Sequence, residues 1–366
     1  MSDAPPWTRH LRPQLAALSP YDAPSARASA RLHANECAEP WPPEVARAIA
    51  ALVHEVELGR YPDTSGHDLR ALLARLHDVD PTRVVLGNGS DEIIGFLLTA
   101  LSGPPSQPTT VVVPTPTFVM YGHSARVIGL DVVEVPLRPD LQLDGDAMRL
   151  ALKTAGVCFL ARPNNPTSTL WDAALVRALI AEHPATIFVI DEAYAAYAPG
   201  SSMSASPAAN QVHMATLSKV GMAALRLGYC VAPPALARAL NVVRHPYNIS
   251  RTSLAIAELV LTQFADVQEA MVARVRASRA RLRAILERLP GAELLGDAAN
   301  FVLVRLAGDG EATRVAQALR ARAVLVKDVS ATPLLRGCLR VTVGTAAELD
   351  LLEQALAELG VLTGAR

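Results

Sequence analysis

Short apolar runs alternate with helical patterns over the first two thirds of the chain. The apolar runs predict strands at 83–86, 109–113, 131–135, 157–161, 186–190, 211–217 and 227–231. Apolar residues at helical spacing predict helices at 43–58, 68–77 and 171–182, and a further helix that ends at Leu101. This alternation predicts an α/β fold with a mostly parallel central sheet that is covered on both faces.

The pattern changes after Ser250. A long stretch at 253–289, rich in Ala, Leu and Arg, predicts one helix that is bent or broken near Asp266. The strands and helices predicted after it form a smaller α+β domain, at 300–306, 311–322, 324–327, 338–343 and 346–359. The first forty residues have weak periodicity and predict an extended arm. The predicted domains are an N-terminal arm or small-domain segment at 1–42, a large domain at 43–275 and a small C-terminal domain at 276–366.

Composition narrows the class of protein. Of the 366 residues, 51% are hydrophobic, which is ample for a large core, and the net charge of -1 argues against a nucleic-acid or membrane-surface partner. The 4 cysteines lie far apart without metal-ligand spacing, so we expect free thiols and no metal. The N-terminus lacks a signal-peptide pattern, and no apolar run is long enough to cross a bilayer. We therefore expect a cytoplasmic protein.

A lysine, an aspartate and a tyrosine fall at the ends of predicted strands. Lys219 follows the run at 211–217, and both Asp191 and Tyr194 follow the run at 186–190. Open α/β sheets bind ligands at the carboxyl ends of their strands, so these side chains are expected at one site. A lysine can form a Schiff base with an aldehyde, and a buried carboxylate can pair with a protonated ring nitrogen. Together the three groups can hold pyridoxal phosphate, although a single lysine also suits an exposed charge.

Other polar groups at strand ends suit a phosphate and a phenolic oxygen. Ser90 and Asp91 follow a strand and open a helix, whose backbone N–H groups can bind phosphate. Taken alone, these two residues are better interpreted as the start of a capped helix after a glycine turn. Ser218 and Arg226 could complete the phosphate site. Asn165 could donate to a phenolate oxygen or could merely form an Asn-Pro turn.

The chain resembles the fold-type I pyridoxal-phosphate aminotransferases, and among them the histidinol-phosphate aminotransferases, over nearly its whole length. The motifs that carry the resemblance are Asn35-Glu36, Arg60-Tyr61-Pro62-Asp63, Gly87-Asn88-Gly89-Ser90-Asp91-Glu92, Pro114-Thr115-Pro116-Thr117-Phe118, Asn165-Pro166-Thr167, Asp191-Glu192-Ala193-Tyr194, Ser218-Lys219, Arg226 and Leu339-Arg340-Val341-Thr342-Val343-Gly344-Thr345. As an ordered set they are highly specific for the fold and the cofactor. They are less specific for the substrate.

The resemblance implies a role for each residue near the cofactor ring. Lys219 would form the Schiff base and later move the proton. Asp191 would keep the ring nitrogen protonated, so that the ring can accept electrons. Asn165 and Tyr194 would bind the phenolic oxygen, and Phe118 would stack on the ring, unless it is an ordinary core residue.

The resemblance also implies contacts to the cofactor phosphate and to the substrate. The phosphate would be bound by Ser90, Asp91, Ser218 and Arg226. Tyr61 would reach this phosphate from a neighbouring subunit, which implies a homodimer. The substrate would be bound by Arg340, which grips its distal anion, and by Lys327, Tyr21 and Asn35. Many relatives have Arg at the position of Lys327, and Lys keeps the charge but lacks the planar fork. Lys327 could instead be an exposed charge on an edge strand, and Tyr21 could be a packing residue of the arm.

The implied reaction is transfer of an amino group from histidinol phosphate to 2-oxoglutarate in two half-reactions, as a step of histidine biosynthesis. Two related activities stay open, those of an aromatic amino-acid aminotransferase and of a threonine-phosphate decarboxylase. A regulatory relative without catalysis is a further alternative, against which the intact Lys219, Asp191, Asn165 and Arg226 argue. The segment Cys37-Ala38-Glu39-Pro40 departs from the commoner Asn-Pro of the family near the substrate, which leaves the exact amine open.

Overall fold

The computed structural model describes residues 5–18, 28–104, 106–107, 109–198 and 208–362. Its helices are α1 (Pro43–Glu55), α2 (His67–Leu76), α3 (Ser90–Ala100), α4 (Met120–Ile128), α5 (Gly145–Leu152), α6 (Ala173–Glu182), α7 (Pro234–Val243), α8 (Arg251–Gln263), α9 (Ala265–Glu287), α10 (Glu311–Ala321) and α11 (Ala346–Glu358). Its strands are β1 (Ala30–Leu32), β2 (Val84–Asn88), β3 (Thr110–Thr115), β4 (Asp131–Pro136), β5 (Ala155–Ala161), β6 (Ile187–Asp191), β7 (Gln211–Thr216), β8 (Leu227–Val231), β9 (Glu293–Gly296), β10 (Phe301–Arg305), β11 (Val324–Asp328) and β12 (Cys338–Thr342).

The larger sheet has the strand order β2-β8-β7-β6-β5-β3-β4. Strands β4, β3, β5, β6 and β7 are parallel, whereas β8 runs antiparallel to both β7 and β2. Side chains of β6 alternate between two cores, because Val189 packs on one face while Phe188 and Ile190 pack on the other. Both faces of the sheet are therefore buried, and the predicted α/β fold with a mostly parallel sheet is confirmed.

The smaller sheet has the order β1-β11-β12-β10-β9. Strand β1 runs parallel to β11, and the other pairs are antiparallel. One face of this sheet packs under α9, α10 and α11 through a core that includes Leu32, Val302 and Val341. The first strand thus comes from the N-terminal part of the chain and the rest from the C-terminal part. The division at 42 and 275 stays a prediction, and α9 runs through the second of these positions.

Several local predictions need correction. The first forty residues are not simply extended, because Ala30–Leu32 forms a strand and Pro6–His10 and Pro13–Ala17 form 3-10 helices. The predicted break near Asp266 is confirmed, because the helical stretch after residue 250 is two helices that meet at Phe264. Helices α4, α5 and α7 and strand β9 were not predicted. Within the described residues, no helix is both long enough and apolar enough to cross a membrane.

Candidate active site

A cavity of about 520 Å³ lies at the carboxyl ends of β5, β6 and β7 and is lined on its other side by residues of the smaller sheet. It gathers residues that are far apart in the sequence. The predicted site residues that line it are Asn35, Ser90, Asp91, Phe118, Asn165, Asp191, Tyr194, Ser218, Lys219, Arg226, Lys327 and Arg340. Tyr21 lies outside the described residues, and Tyr61 does not line the cavity.

One end of the cavity is rich in hydrogen-bond donors. Ser90 and Asp91 begin α3, and Gly89 before them has a φ of +80°, which only glycine adopts easily. A Cβ at Gly89 would lie 2.7 Å from Nη2 of Arg226. Arg226 lies 3.5 Å from Ser218 Oγ through Nη1 and 3.5 Å from Asp91 Oδ2 through Nη2. These long contacts hold the guanidinium only weakly, so a helix N-terminus, a hydroxyl and an arginine face one space.

Asp191 lies on the floor of the cavity, at the end of β6, and is 5% exposed. The Tyr121 hydroxyl donates to Oδ2 at 2.5 Å, and the Ala193 N–H donates to Oδ1 at 2.9 Å. Burial raises the pKa of the Asp191 carboxyl to about 6, and these two hydrogen bonds oppose the rise. Burial, with the nearby Asp191 charge, also raises the pKa of the Tyr121 hydroxyl well above its usual value. A cationic N–H donor in the cavity would favour the charged form of Asp191.

Residues in or next to the smaller sheet orient two polar groups that follow strands of the larger one. Asn35 Nδ2 donates to the Tyr194 hydroxyl at 2.9 Å, and Asn35 Oδ1 accepts from Thr342 Oγ1 at 3.1 Å. Arg340 Nη1 donates to Asn165 Oδ1 at 2.6 Å. The two predicted ligands of the phenolic oxygen, Asn165 and Tyr194, are therefore both held by partners outside the large sheet.

The backbone of Lys219 is held in place by a 3-10 turn and by a hydrogen bond to its carbonyl. It ends the 3-10 turn Leu217–Lys219, which follows β7 directly. Its carbonyl accepts a hydrogen bond from the Tyr197 hydroxyl at 2.5 Å, and its Nζ lies 5.9 Å from the centroid of the Tyr194 ring. Tyr197 is fully buried and stands three residues after Tyr194, so one short turn, Ala195–Tyr197, supports both contacts.

Arg340 and Lys327 lie side by side on the wall formed by the smaller sheet. They are direct partners in the pairing of β11 with β12. The neighbours of Arg340 in β12, Leu339 and Val341, point into the core, so both cations lie on the opposite face, toward the cavity. Arg340 is held over the Phe301 ring at 5.4 Å, and this wall therefore suits an anionic group.

Comparison with known families identifies the group to which the chain belongs. A model of the family "Aminotransferase class I and II" matches residues 30–356. The chain belongs to this family. It is 41% identical to a histidinol-phosphate aminotransferase of Acidovorax sp. (strain JS42), over 94% of this chain and 95% of that protein. The chain is therefore an aminotransferase, from a class of enzymes that work with pyridoxal phosphate.

Solved structures agree with this membership. The aminotransferase superposes on the histidinol-phosphate aminotransferase from Sinorhizobium meliloti in complex with pyridoxal-5'-phosphate with a TM-score of 0.86, at 27% identity and over 98% of this chain and 99% of that one. An L-threonine-O-3-phosphate decarboxylase from Porphyromonas gingivalis has a TM-score of 0.77 at 21% identity, over 90% and 99% of the two chains. At that identity the second likeness shows the fold alone.

Tyr61 of the aminotransferase lies on the surface and is 78% exposed. Its ring stacks on that of Tyr247, with centroids 4.4 Å apart. Leu58, nearby in the sequence, is 82% exposed. The predicted contact of Tyr61 with a neighbouring subunit stays a prediction.

Five residues that line the cavity or support it were not predicted from the sequence. Tyr121 stands one helical turn after Phe118, and Tyr197 stands three residues after Tyr194, a spacing that could have revealed both. Arg31 and His33 line the cavity from β1 and its end, in a segment whose weak periodicity predicts only an extended arm. Near the unusual segment at 37–40, Glu36 also lines the cavity.

Proposed function

We propose that this aminotransferase transfers the amino group of histidinol phosphate to 2-oxoglutarate, with pyridoxal phosphate as its cofactor, in histidine biosynthesis. The observation that carries the proposal is the pair of cations, Arg340 and Lys327, on the cavity wall of a chain that is 41% identical to a histidinol-phosphate aminotransferase. An amino donor with a phosphate at its far end matches such a wall. Histidinol phosphate would give its amino group in one half-reaction, and 2-oxoglutarate would receive it in the other.

The donor set of the cavity fits pyridoxal phosphate. The N-terminus of α3, Ser218 and Arg226 offer N–H and O–H donors to a phosphate, and a side chain at Gly89 would obstruct this space. Asp191 is a buried acceptor whose charged form would be stabilised by a protonated ring nitrogen. Tyr194 and Asn165 lie on the same cavity and would bind the phenolic oxygen.

When bound, the cofactor supplies an aldehyde that links to amines and a ring that accepts electrons from the substrate carbon. Lys219 would hold the aldehyde carbon through its ε-amine and, once released, would carry the proton between two carbons. Tyr197 would keep the Lys219 backbone in place during this movement, because its hydroxyl is bonded to the lysine carbonyl. Asp191 would hold the proton on the ring nitrogen. Phe118 lines the same cavity and would stack on the ring.

A panel of amino donors on the purified, cofactor-loaded enzyme tests the proposal. Histidinol phosphate, phenylalanine and threonine phosphate are compared by kcat/KM with 2-oxoglutarate as acceptor, and release of carbon dioxide is measured in parallel. We expect histidinol phosphate to be preferred by at least about tenfold, the effect of one charge-assisted hydrogen bond. A preference for phenylalanine would instead identify an aromatic amino-acid aminotransferase, and release of carbon dioxide from threonine phosphate would identify a decarboxylase.

The role of Lys219 has its own test. The Lys219→Ala variant should lose turnover by about 10²- to 10⁴-fold, the usual contribution of a positioned proton carrier, or by more if the covalent link is also needed. Retained binding of the cofactor, measured by equilibrium dialysis, shows that the variant is folded. Turnover at the native rate in a cofactor-bound variant would show that the role assigned to Lys219 is wrong. Failure of the native enzyme to bind pyridoxal phosphate would support the regulatory alternative.

We also propose a cytoplasmic homodimer in which Tyr61 contacts the cofactor phosphate of the other subunit. The exposed Tyr61 and Leu58 support an interface on this surface. Mixing an inactive Lys219→Ala subunit with a Tyr61→Phe subunit tests the crossed contact. If Tyr61 acts across the interface, the hybrid has one site that carries neither change and should show more activity than either parent alone. A hybrid that is no more active than the Tyr61→Phe parent would argue against a shared site.

A further inference from the structure

We propose that Arg31 is a specificity-determining residue, which binds the distal phosphate of the amino donor in place of the carboxylate of Glu36. The inference rests on the proposed function, because it assigns a third cation to the same end of the substrate site. Arg31 was not among the residues that the family resemblance implied. Its place in the small sheet carries the inference.

The alternation of β1 directs the Arg31 side chain to the cavity. Ala30 and Leu32 are fully buried in the core under the smaller sheet, so Arg31 between them lies on the other face. The residue pairs directly with Leu325 of β11, and Lys327 lies two positions further along that strand. Residues i and i+2 of a strand share a face, so Arg31 and Lys327 belong to one face.

The register extends this face to a third cation. Lys327 is the direct partner of Arg340 across β11 and β12. Arg31, Lys327 and Arg340 therefore come from three neighbouring strands and all line the same cavity. The strand that carries Arg31 is also held in place, because the Arg31 N–H donates to Glu348 Oε1 at 3.1 Å.

The three cations differ in what they can offer to a phosphate. Arg340 already donates to Asn165 Oδ1 and to the His33 carbonyl, both at 2.6 Å. Lys327 is a point charge without the planar fork that matches two phosphate oxygens. Arg31 has that fork and is paired with Glu36 at 3.7 Å, a distance beyond an ordinary hydrogen bond. An exposed pair of this kind contributes little to stability, so a phosphate can replace Glu36 at little cost.

Glu36 makes the arrangement selective for charge. Its carboxylate lines the cavity beside Arg31 and repels any anion that enters. A phosphate ester carries a charge of about -1.5 to -2 near neutral pH, against -1 for a carboxylate, so it competes better for Arg31. Arg31 thus favours a phosphorylated donor over an otherwise identical donor that lacks the phosphate.

The test compares histidinol phosphate with histidinol, two donors that differ only in the phosphate. In Arg31→Gln, kcat/KM for histidinol phosphate should fall about tenfold while kcat/KM for histidinol stays within about twofold, since only the charge-assisted bond is lost. Arg31→Lys should restore part of the loss. Glu36→Gln should act in the opposite direction and raise kcat/KM for histidinol phosphate about twofold to fivefold. Arg322→Gln, which removes an exposed arginine paired with Glu358 in the same domain, is the matched control and should change neither value.

A second readout does not depend on turnover of either donor. Inorganic phosphate should inhibit competitively with the amino donor, and its inhibition constant should rise about tenfold in Arg31→Gln and fall in Glu36→Gln. Equal losses for both donors, or a phosphate inhibition constant that Arg31→Gln leaves unchanged, would overturn the inference. A native enzyme that uses histidinol as well as histidinol phosphate would refute the proposed function instead. In that event the phosphate inhibition constants still decide whether Arg31 binds phosphate.

Discussion

Replacement of Asp191 by Asn should stabilise the cofactor-free protein at high pH while it weakens binding of the cofactor. Asp191 is buried at the end of β6, with hydrogen bonds from the Tyr121 hydroxyl and the Ala193 N–H. These two bonds do not fully offset the loss of water around the charge, because burial still raises the pKa of this carboxyl from 3.8 to about 6. Asparagine removes the charge and keeps nearly the same shape.

The magnitude follows from that pKa. An acid whose pKa is higher in the folded state destabilises that state when it ionises. The loss of unfolding free energy is absent below about pH 3.8 and complete above about pH 6. At about 1.36 kcal/mol for each pKa unit, the rise from 3.8 to about 6 corresponds to about 3 kcal/mol. Asparagine avoids this cost but loses one of the two hydrogen bonds, which is worth about 1 kcal/mol. The variant should therefore be about 2 kcal/mol more stable than the native protein at about pH 8.

Urea unfolding of the two cofactor-free proteins measures the difference between their free energies of unfolding. Between about pH 4.5 and pH 8 this difference should shift by about 2 kcal/mol in favour of the variant. All other titrating groups are common to both proteins and cancel. Asp309→Asn, at an exposed loop position, is the control and should show no such shift. Added pyridoxal phosphate should then reverse the order, because ligand binding stabilises the native protein more. A difference that does not change with pH would refute the reasoning about Asp191.

Three further outcomes follow from the site. Gly89→Ala should destabilise the protein by about 1–3 kcal/mol and weaken cofactor binding, because residue 89 has a φ of +80° and its Cβ would clash with Arg226. Thermal unfolding measures the loss of stability, and equilibrium dialysis measures the affinity for the cofactor. An unchanged affinity would contradict the assigned phosphate site. Tyr197→Phe should lower kcat about tenfold with little change in KM, because the hydrogen bond to the Lys219 carbonyl is lost. Hydrogen exchange at the Val220 amide should become faster. An unaltered exchange rate would show that Tyr197 does not hold the Lys219 backbone in place. Arg340→Lys should raise KM for histidinol phosphate about tenfold or more, as steady-state kinetics can test, because lysine lacks the fork.

Most of the large domain could be predicted because its strands are buried on both faces. Such strands appear as continuous apolar runs, and each observed strand from β2 to β8 lies within a few residues of its prediction. Helix α4 was missed because it is short and begins next to Phe118, within a segment rich in proline. Strand β1 was missed because three residues are too few to show alternation, and its partner in the sheet, β11, lies almost three hundred residues away.

The candidate site, too, could be predicted only in part. The common location of Lys219, Asp191 and Asn165 could be predicted because each ends or follows a strand of the large sheet, where chain order and position in space are linked. The partners of these residues could not be predicted, since the hydrogen bonds from Asn35 to Tyr194 and from Arg340 to Asn165 join segments 159 and 175 residues apart. No local pattern encodes such a distance. Both pairings depend on how the smaller sheet packs against the larger one.

The hydrogen bond between Arg340 and Asn165 links the proposed substrate site to the proposed cofactor site. Asn165 is the proposed partner of the cofactor oxygen, and Arg340 is the proposed partner of the substrate anion, yet each already holds the other at 2.6 Å. An anion that draws Arg340 toward itself must alter the hold of Asn165 on the cofactor. Thermodynamic reciprocity then requires that the cofactor change the affinity for that anion by the same factor. If both roles are as proposed, the affinity for the cofactor should therefore change with the concentration of the substrate anion.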